Sequence, residues 1–330
     1  MKGDGDLTAV IGAGPAGAMA AFLLAVKGRP VVLLDDERPS PERIEMLPPR
    51  AVLAFHAGGL GQALDDRDIA VPCRGIVRRG AVEDREDFLL QPGSGGLAVH
   101  RPAFDAAIRT AARTAGAKCL SGRLTAIEDK ADGFVMRIAA IDGSLRIGAR
   151  TIIDASGRAA AVSRRLGARL EIWEHLVAER TDNLDGPDLW LNFALDREGW
   201  VYAITGPGAR RDAWHVGPPS RPRMGHHAVD ASARRLSPAA GHRWIAIGDA
   251  ASAFDPICCQ GLAHAASSAL AAAGMIAKTG TVLEDDAELY DLACQQTAVR
   301  TEGERRAVYE HLRLGSASGA QGAVVGAGRN

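Results

Sequence analysis

Apolar positions recur along this chain with two different periods, and the switch between them predicts its elements. Residues 7–11 (Leu-Thr-Ala-Val-Ile) are a short apolar run that fits a buried strand. Gly12-Ala13-Gly14-Pro15-Ala16-Gly17 follows, then an Ala- and Leu-rich helix to about Val26. Gly28 and Pro30 stop that helix, and Val31-Val32-Leu33-Leu34 is a second buried strand ending at Asp35. Strand, helix and strand together predict a βαβ unit with a right-handed crossover. Pro39, Pro41, Pro48 and Pro49 punctuate a loop, and Arg50 to Leu64 reads as helical. Residues 68–99 alternate short strand-like pieces with Gly-rich turns. Phe104 to Ala115 places Phe104, Ile108 and Ala111 or Ala112 on one stripe of an amphipathic helix. Two short strands and the turn Asp142-Gly143 lead to a further apolar strand, Thr151-Ile152-Ile153-Asp154.

Beyond residue 169 the alternation shortens to two. Trp190-Leu191-Asn192-Phe193-Ala194 and Trp200-Val201-Tyr202-Ala203-Ile204 read as antiparallel strands. Residues 205–225, rich in Gly, Pro and Arg, read as loop. Trp244-Ile245-Ala246-Ile247 is another buried strand, a long Ala-rich helix starts near Gly261, and a flexible tail is expected from Gly315. The fold class is α/β: a Rossmann-like nucleotide-binding domain (residues 1–75, 98–165 and 240–300) carrying an antiparallel-sheet lobe (76–97 and 166–239). A C-terminal helix and tail occupy 301–330.

Composition narrows the partners. A chain of 330 residues with 47% hydrophobic and 24% charged positions can bury a core of its own. A net charge of −1 gives no argument for nucleic acid or an acidic membrane. Leu7 to Val26 is uncharged and long enough to suggest a membrane span or signal. Asp4 and Asp6 in front of it, and the glycines and proline inside it, favour strand, turn and helix instead. Five cysteines (Cys73, Cys119, Cys258, Cys259, Cys294) show no metal spacing, so a reduced, cytoplasmic setting without a metal is expected.

The chemistry begins at Gly12-x-Gly14-x-x-Gly17. Gly12 permits a tight turn, Gly14 lets a pyrophosphate approach the main chain, and Gly17 lets the helix pack against the sheet. Pro15 and Ala16 open the helix whose N-terminus supplies free N–H groups. Asp35 stands where an acid holds both hydroxyls of a ribose, which favours FAD or NAD over a 2′-phosphate. Gly248-Asp249-Ala250-Ala251 places a second acid directly after a buried strand. It can accept from the ribityl hydroxyls of a flavin or cap a helix.

Taken together, Gly12–Gly17, Asp154-Ala155-Ser156-Gly157-Arg158, and Gly248-Asp249 through Asp255-Pro256 to Gln260-Gly261 resemble the FAD-dependent aromatic-hydroxylase superfamily. That superfamily includes flavin monooxygenases, halogenases and geranylgeranyl reductases. The resemblance implies FAD as cofactor, with Asp249 at its ribityl or pyrophosphate part and the Pro256 to Gly261 loop along its ring. Asp154 and Gly157 match the middle motif near the flavin, and Arg101 in His100-Arg101-x-x-Phe104-Asp105 matches a cofactor-contacting arginine. Ile44-Glu45-Met46-Leu47-Pro48-Pro49 is similar to a loop of the halogenase-like branch, with Met46 and Ile44 in place of its usual Ser and Gly. Gly199-Trp200-Val201-Tyr202-Ala203 and Ala231-Ser232-Ala233-Arg234-Arg235-Leu236 look most like proteins that hydroxylate tryptophan during quinone-cofactor maturation.

The implied activity is a monooxygenase hydroxylating a small or peptide-borne aromatic through a flavin C4a-hydroperoxide, the cofactor supplying the difficult chemistry. Electrons would come from NAD(P)H or from reduced flavin delivered by a partner reductase. A halogenase would need a lysine after the first motif, and none lies between Lys27 and Lys118. A geranylgeranyl-reductase-like enzyme needs more apolar surface than 160–245 offers. The short span 205–244 suggests a trimmed substrate lobe and keeps a non-catalytic FAD-binding maturation protein in play. No catalytic residue is assigned. His100, His175, His215, His226, His227 and His264 are candidates for acid or base, and Trp200 and Tyr202 either flank a substrate or fill the core.

Overall fold

The computed structural model describes residues 6–80, 83–91, 95–181, 186–195, 198–219 and 228–319. Its centre is a six-stranded sheet ordered Ala240–Gly241, Trp244–Ala246, Thr151–Asp154, Thr8–Ile11, Val31–Asp35, Lys118–Ser121. All neighbours are parallel except the edge pair Ala240–Gly241 and Trp244–Ala246. Strands covered on both faces have no solvent side to keep polar, which explains the unbroken apolar runs at 8–11 and 151–153. The first helix (Pro15–Val26) packs between the helices Arg101–Thr114 and Gly261–Thr279 on one face. Three antiparallel strands, Arg123–Lys130, Gly133–Ala140 and Gly143–Ala149, add Phe134, Met136 and Ile138 to the same core.

The lobe is a seven-stranded sheet ordered Ala228–Asp230, Val177–Arg180, Arg211–Gly217, Trp200–Thr205, Trp190–Leu195, Gly75–Arg79, Glu83–Asp87. It has its own core around Trp200, Phe193, Phe88 and Val216. A small sheet of Ile44–Leu47, Gly96–His100 and Ala70–Cys73 joins the two layers. The C-terminal helix (Glu284–Gly319) leaves the first core, where Tyr290 donates to the Ala246 carbonyl at 2.8 Å, and ends with Tyr309 and Leu312 against the second.

Five segments differ from their sequence reading. Arg211–Gly217, expected as loop, is a strand; Trp200–Thr205 pairs with it along its length, and that pairing overrides its Gly- and Arg-rich setting. The Ile44–Leu47 segment, expected as loop, pairs with Leu97–His100. The helix expected over 50–64 breaks after Ala57 at Gly58-Gly59 and resumes only at Gln62. The two short strands near Asp142 are eight and seven residues long. The tail expected from Gly315 is helical to Gly319; residues 320–330 lie outside the described residues, as do His226 and His227. No described helix is long and apolar enough to cross a membrane.

Asp154 ties the central sheet to the segment after it. It is fully buried, and its carboxylate accepts from Ser156 N (3.1 Å), Ser156 Oγ (2.6 Å), Val162 N (3.0 Å), Ser163 N (2.7 Å) and Ser163 Oγ (2.8 Å). Removing it strands the buried donors of Val162 and Ser163 and the part-buried ones of Ser156. Asp154→Ala is expected to cost about 3 kcal/mol or more, read as a lowered urea midpoint.

Candidate functional site

The turn after the first strand is built by close approach. Gly12 has φ +109°, and a Cβ there would lie 2.2 Å from the Ala155 carbonyl oxygen. A Cβ at Gly17 would lie 1.9 Å from the Gly12 carbonyl oxygen. Both positions are therefore closed to any side chain, and neither faces the cavity that opens beside them. Gly14 differs: nothing lies within 4 Å of its Cβ position, so its backbone borders open space. The helix that begins at Pro15 has no side-chain cap and no acid in its first turn, leaving its first N–H groups free for an anion.

A cavity of about 320 Å³, at the lower end of small-molecule sites, runs from this turn to the lobe. Gly14, Pro15 and Ala16 line one end, with Gly157, Gly248 and Asp249 beside them. Pro256, Gln260 and Gly261 line the adjoining edge, where the helix Gly261–Thr279 also begins without a side-chain cap. Asp249 is 41% exposed and approaches Arg158 Nε at 3.6 Å, so its oxygens are open to the cavity. The Gln260 amide is directed instead to Glu304, at 3.2 Å.

Arg101 also lines the cavity, at the centre of a buried ion cluster. Its Nη1 donates to Glu45 Oε1 at 2.7 Å, and its Nε and Nη2 donate to the two Asp105 oxygens at 3.1 and 3.2 Å. Burial by itself would raise the Glu45 carboxyl; Arg101 and Arg43 more than offset this and hold it below the usual carboxylate range.

Besides Gly12 and Gly17, two predicted residues stand apart from the cavity, Asp154 and Asp35. Asp154 is consumed by its hydrogen bonds to residues 156, 162 and 163. Asp35, at the end of its strand, accepts from Glu37 N at 3.0 Å and lies 3.8 Å from Arg109 Nε, at the turn's outer rim. None of the described histidines lines the cavity, and no described lysine does. His264 sits beside it with Nε2 buried and unbonded, its ring edge-on to Phe254, and burial lowers its pKa.

Of the cavity's far wall, sequence reasoning named only Tyr202; Trp200, named with it, lies buried in the lobe core instead. One face of the lobe sheet presents Ala178, Leu191, Phe193, Tyr202, Ile204 and Trp214. Register explains the set: Phe193 pairs with Tyr202, and Tyr202 with Trp214. The alternation Asp212, Trp214, Val216 was the available signal, hidden by the Gly- and Pro-rich residues around it. Arg43 was missed with no signal of spacing; Cys259 was not singled out, although it lies in the Pro256 to Gly261 loop expected along the flavin.

A glycine turn closed to side chains, an uncapped helix start, an acid at the second strand's end and an open acid at Gly248-Asp249 suit an adenine dinucleotide with a flavin attached. The class of protein so defined is an FAD-dependent oxidoreductase. The chain belongs to the FAD binding domain family, whose profile matches residues 7–210. It is 28% identical over 302 residues to the menaquinone reductase of Mycobacterium tuberculosis H37Rv, covering 77% of this chain and 72% of that protein. Its fold is similar to p-nitrophenol 4-monooxygenase from Pseudomonas putida DLL-E4 (TM-score 0.79, 18% identity, 93% of this chain and 89% of that one). It is similar also to a peptidyl tryptophan dihydroxylase essential for tryptophylquinone cofactor biogenesis (TM-score 0.69, 22% identity, 89% and 71%). A flavin-dependent halogenase shares the fold too (TM-score 0.75, 19% identity, 89% of this chain); this chain spans 62% of its length. These neighbours are of the superfamily that the motifs resemble, and FAD is the cofactor of the family.

Gly14→Ala adds a methyl only to open space, so stability is expected to stay within about 0.5 kcal/mol of the parent. Retention of FAD, measured by absorbance after gel filtration and by titration, is expected to fall on the order of tenfold or more if, as the motif implies, a pyrophosphate approaches the main chain at Gly14. Arg101→Met leaves Asp105 without its cation and Glu45 with Arg43 alone, and is expected to cost about 3–5 kcal/mol at neutral pH. The sign of its pH dependence also changes. In the parent, Glu45 has a folded pKa below the unfolded one, so its contribution is present above that unfolded value and is lost as pH falls through the folded one. In Arg101→Met the carboxyl is desolvated with less compensation, so stability is expected to rise as pH is lowered from 7 to 5. Urea midpoints at both pH values check this.

Proposed function

We propose that this enzyme passes electrons from FAD to a quinone-type ring docked against the aromatic wall of the cavity. The observation that carries the reading is that wall: Phe193, Tyr202 and Trp214 in one cross-strand row, with Leu191 and Ile204 beside them. Such a surface takes a flat apolar ring and excludes water from it. FAD, when bound and reduced, supplies the electron pair; the chain's residues bind, orient and dry the ring. Reduction asks for no base in the wall, and no histidine or lysine stands there among the described residues. The identity to a menaquinone reductase over 77% of the chain supports the same reading.

Hydroxylation of a small or peptide-borne aromatic is the second reading, favoured by the same aromatic wall, which would hold a phenol or an indole equally well. Adenine-dinucleotide donors or a reductase would serve either reading as electron source. A halogenase reading is disfavoured by the absence of a lysine in the described lining.

The test uses purified holoenzyme reduced without oxygen and mixed with 2-methyl-1,4-naphthoquinone. Flavin reoxidation is expected to run at least about tenfold faster than that of free reduced FAD at equal concentration, because a docked ring reacts within its complex. Reoxidation no faster than free FAD defeats the quinone reading. Consumption of oxygen that depends on an added aromatic, with a product heavier by one oxygen atom, would move the assignment to hydroxylation.

A further inference from the structure

Most polar side chains around the cavity are partnered. Glu45 is held by Arg101 and Arg43, Asp255 accepts from Ile257 N and from Tyr309, and Arg158 donates to the Ser232 carbonyl. On the sheet wall two side chains are not. Tyr202 lines the cavity, partly buried, and its hydroxyl has no hydrogen-bond partner among the described residues. Trp214, its directly paired neighbour on the adjacent strand, is 8% exposed, and its Nε1 likewise makes no hydrogen bond among them. Buried polar groups in folded proteins are almost always paired, so the Trp214 N–H requires an account; the Tyr202 hydroxyl beside it is only partly buried and is available to a ligand in the cavity.

Both groups can donate. The indole N–H only donates, whereas a tyrosine hydroxyl can donate or accept. Burial pushes the Tyr202 hydroxyl far above the ordinary range, opposed by the nearby Arg43, so it keeps the proton that it can donate. Its ring packs beside Trp200 and Phe193, 5.6 and 6.1 Å away between centroids. The third group near it, Arg43, is a cation whose partner is Glu45. Among the described residues of this wall, two groups able to donate therefore have no hydrogen-bond partner.

We propose that the Tyr202 hydroxyl is the specificity-determining donor of the site, selecting ring substrates that carry an acceptor oxygen, the carbonyl of a quinone or the oxygen of a phenol. The proposal rests on the reading of this cavity as a ring-binding site and deepens it. A ring oxygen placed at Tyr202 accepts from a hydroxyl that has no protein partner among the described residues and that the docked ring itself would close off from water. A hydrocarbon ring of the same shape leaves it unpaired, so the wall discriminates by what the wrong ligand fails to supply.

The experiment is a binding titration with oxidised holoenzyme, followed by perturbation of the flavin absorption band, so no turnover is required. The probes are 2-methyl-1,4-naphthoquinone, 1-naphthol and 2-methylnaphthalene, with the parent protein and Tyr202→Phe. In the parent, at least one oxygen-bearing ring is expected to bind about tenfold more tightly than 2-methylnaphthalene. Which of the two is preferred separates quinone from phenol. In Tyr202→Phe that preference is expected to vanish while affinity for 2-methylnaphthalene is retained, with an unchanged flavin spectrum reporting the fold. Equal binding of all three rings by the parent overturns the proposal and leaves the ring-binding reading standing; this arm does not depend on the variant. A preference that survives in Tyr202→Phe overturns it as well. If the quinone binds through Tyr202 and is not reduced, the proposal stands and the reductase reading fails. If none of the rings binds, both fall.

Discussion

The close approach of the Gly12–Gly17 turn to the chain after Asp154 is the constraint on which the site depends. Three backbone segments meet there with no space for a Cβ: the Gly12 position faces the Ala155 carbonyl, and the Gly17 position faces both the Gly12 carbonyl and the Ala155 methyl. This contact brings the start of the first helix beside the segment that opens with Ala155, and Gly248 reaches the same place, its Cβ position 2.9 Å from the Ala16 methyl. Pieces of chain more than two hundred residues apart thereby border one cradle. Asp154 reinforces it from below by gathering the N–H groups of residues 156, 162 and 163 onto one carboxylate.

A second linkage fixes the distance between cradle and wall. Trp200 in the lobe sheet donates to the Tyr309 hydroxyl at 2.9 Å, and Tyr309 donates to Asp255 at 3.0 Å. Asp255 in turn caps the short helical turn Pro256–Cys258 through the Ile257 N–H. The lobe, the C-terminal helix and the loop expected to run along the flavin are thus joined by a single polar chain through two cores. Burial raises the Asp255 carboxyl, a tendency opposed by these hydrogen bonds and by Arg305. Those contacts are what let an acid stand in a place so poorly solvated.

Reductases, monooxygenases and halogenases share this architecture because the cofactor carries the chemistry and the protein chooses what lies beside it. The distinguishing matter is therefore the wall rather than the cradle. In this chain the wall is aromatic and aliphatic, short of bases, and supplied with donors that have no acceptor of their own. That combination suits a ring whose reaction needs orientation and dryness more than proton abstraction.

The cofactor half was legible because its signals are local. A glycine spacing, an apolar strand before it, an acid at the end of the next strand and a Gly-Asp after a buried strand each reflect backbone geometry that a few adjacent residues dictate. Gly14, Gly248, Asp249 and Gly261 accordingly border the cavity where the motif placed them. Tertiary structure alone decided that Asp154 and Asp35 stand off the cavity, since nothing in Thr151–Asp154 reveals which donors will surround its carboxylate. It alone decided the wall as well. Arg211–Gly217 is a strand because Trp200–Thr205 pairs with it, and Trp214 meets Tyr202 and Phe193 only through registers across three strands. Local sequence fixes the conformations that short segments must adopt; which side chains face one another across a cavity is set by strand pairing, which no single segment contains.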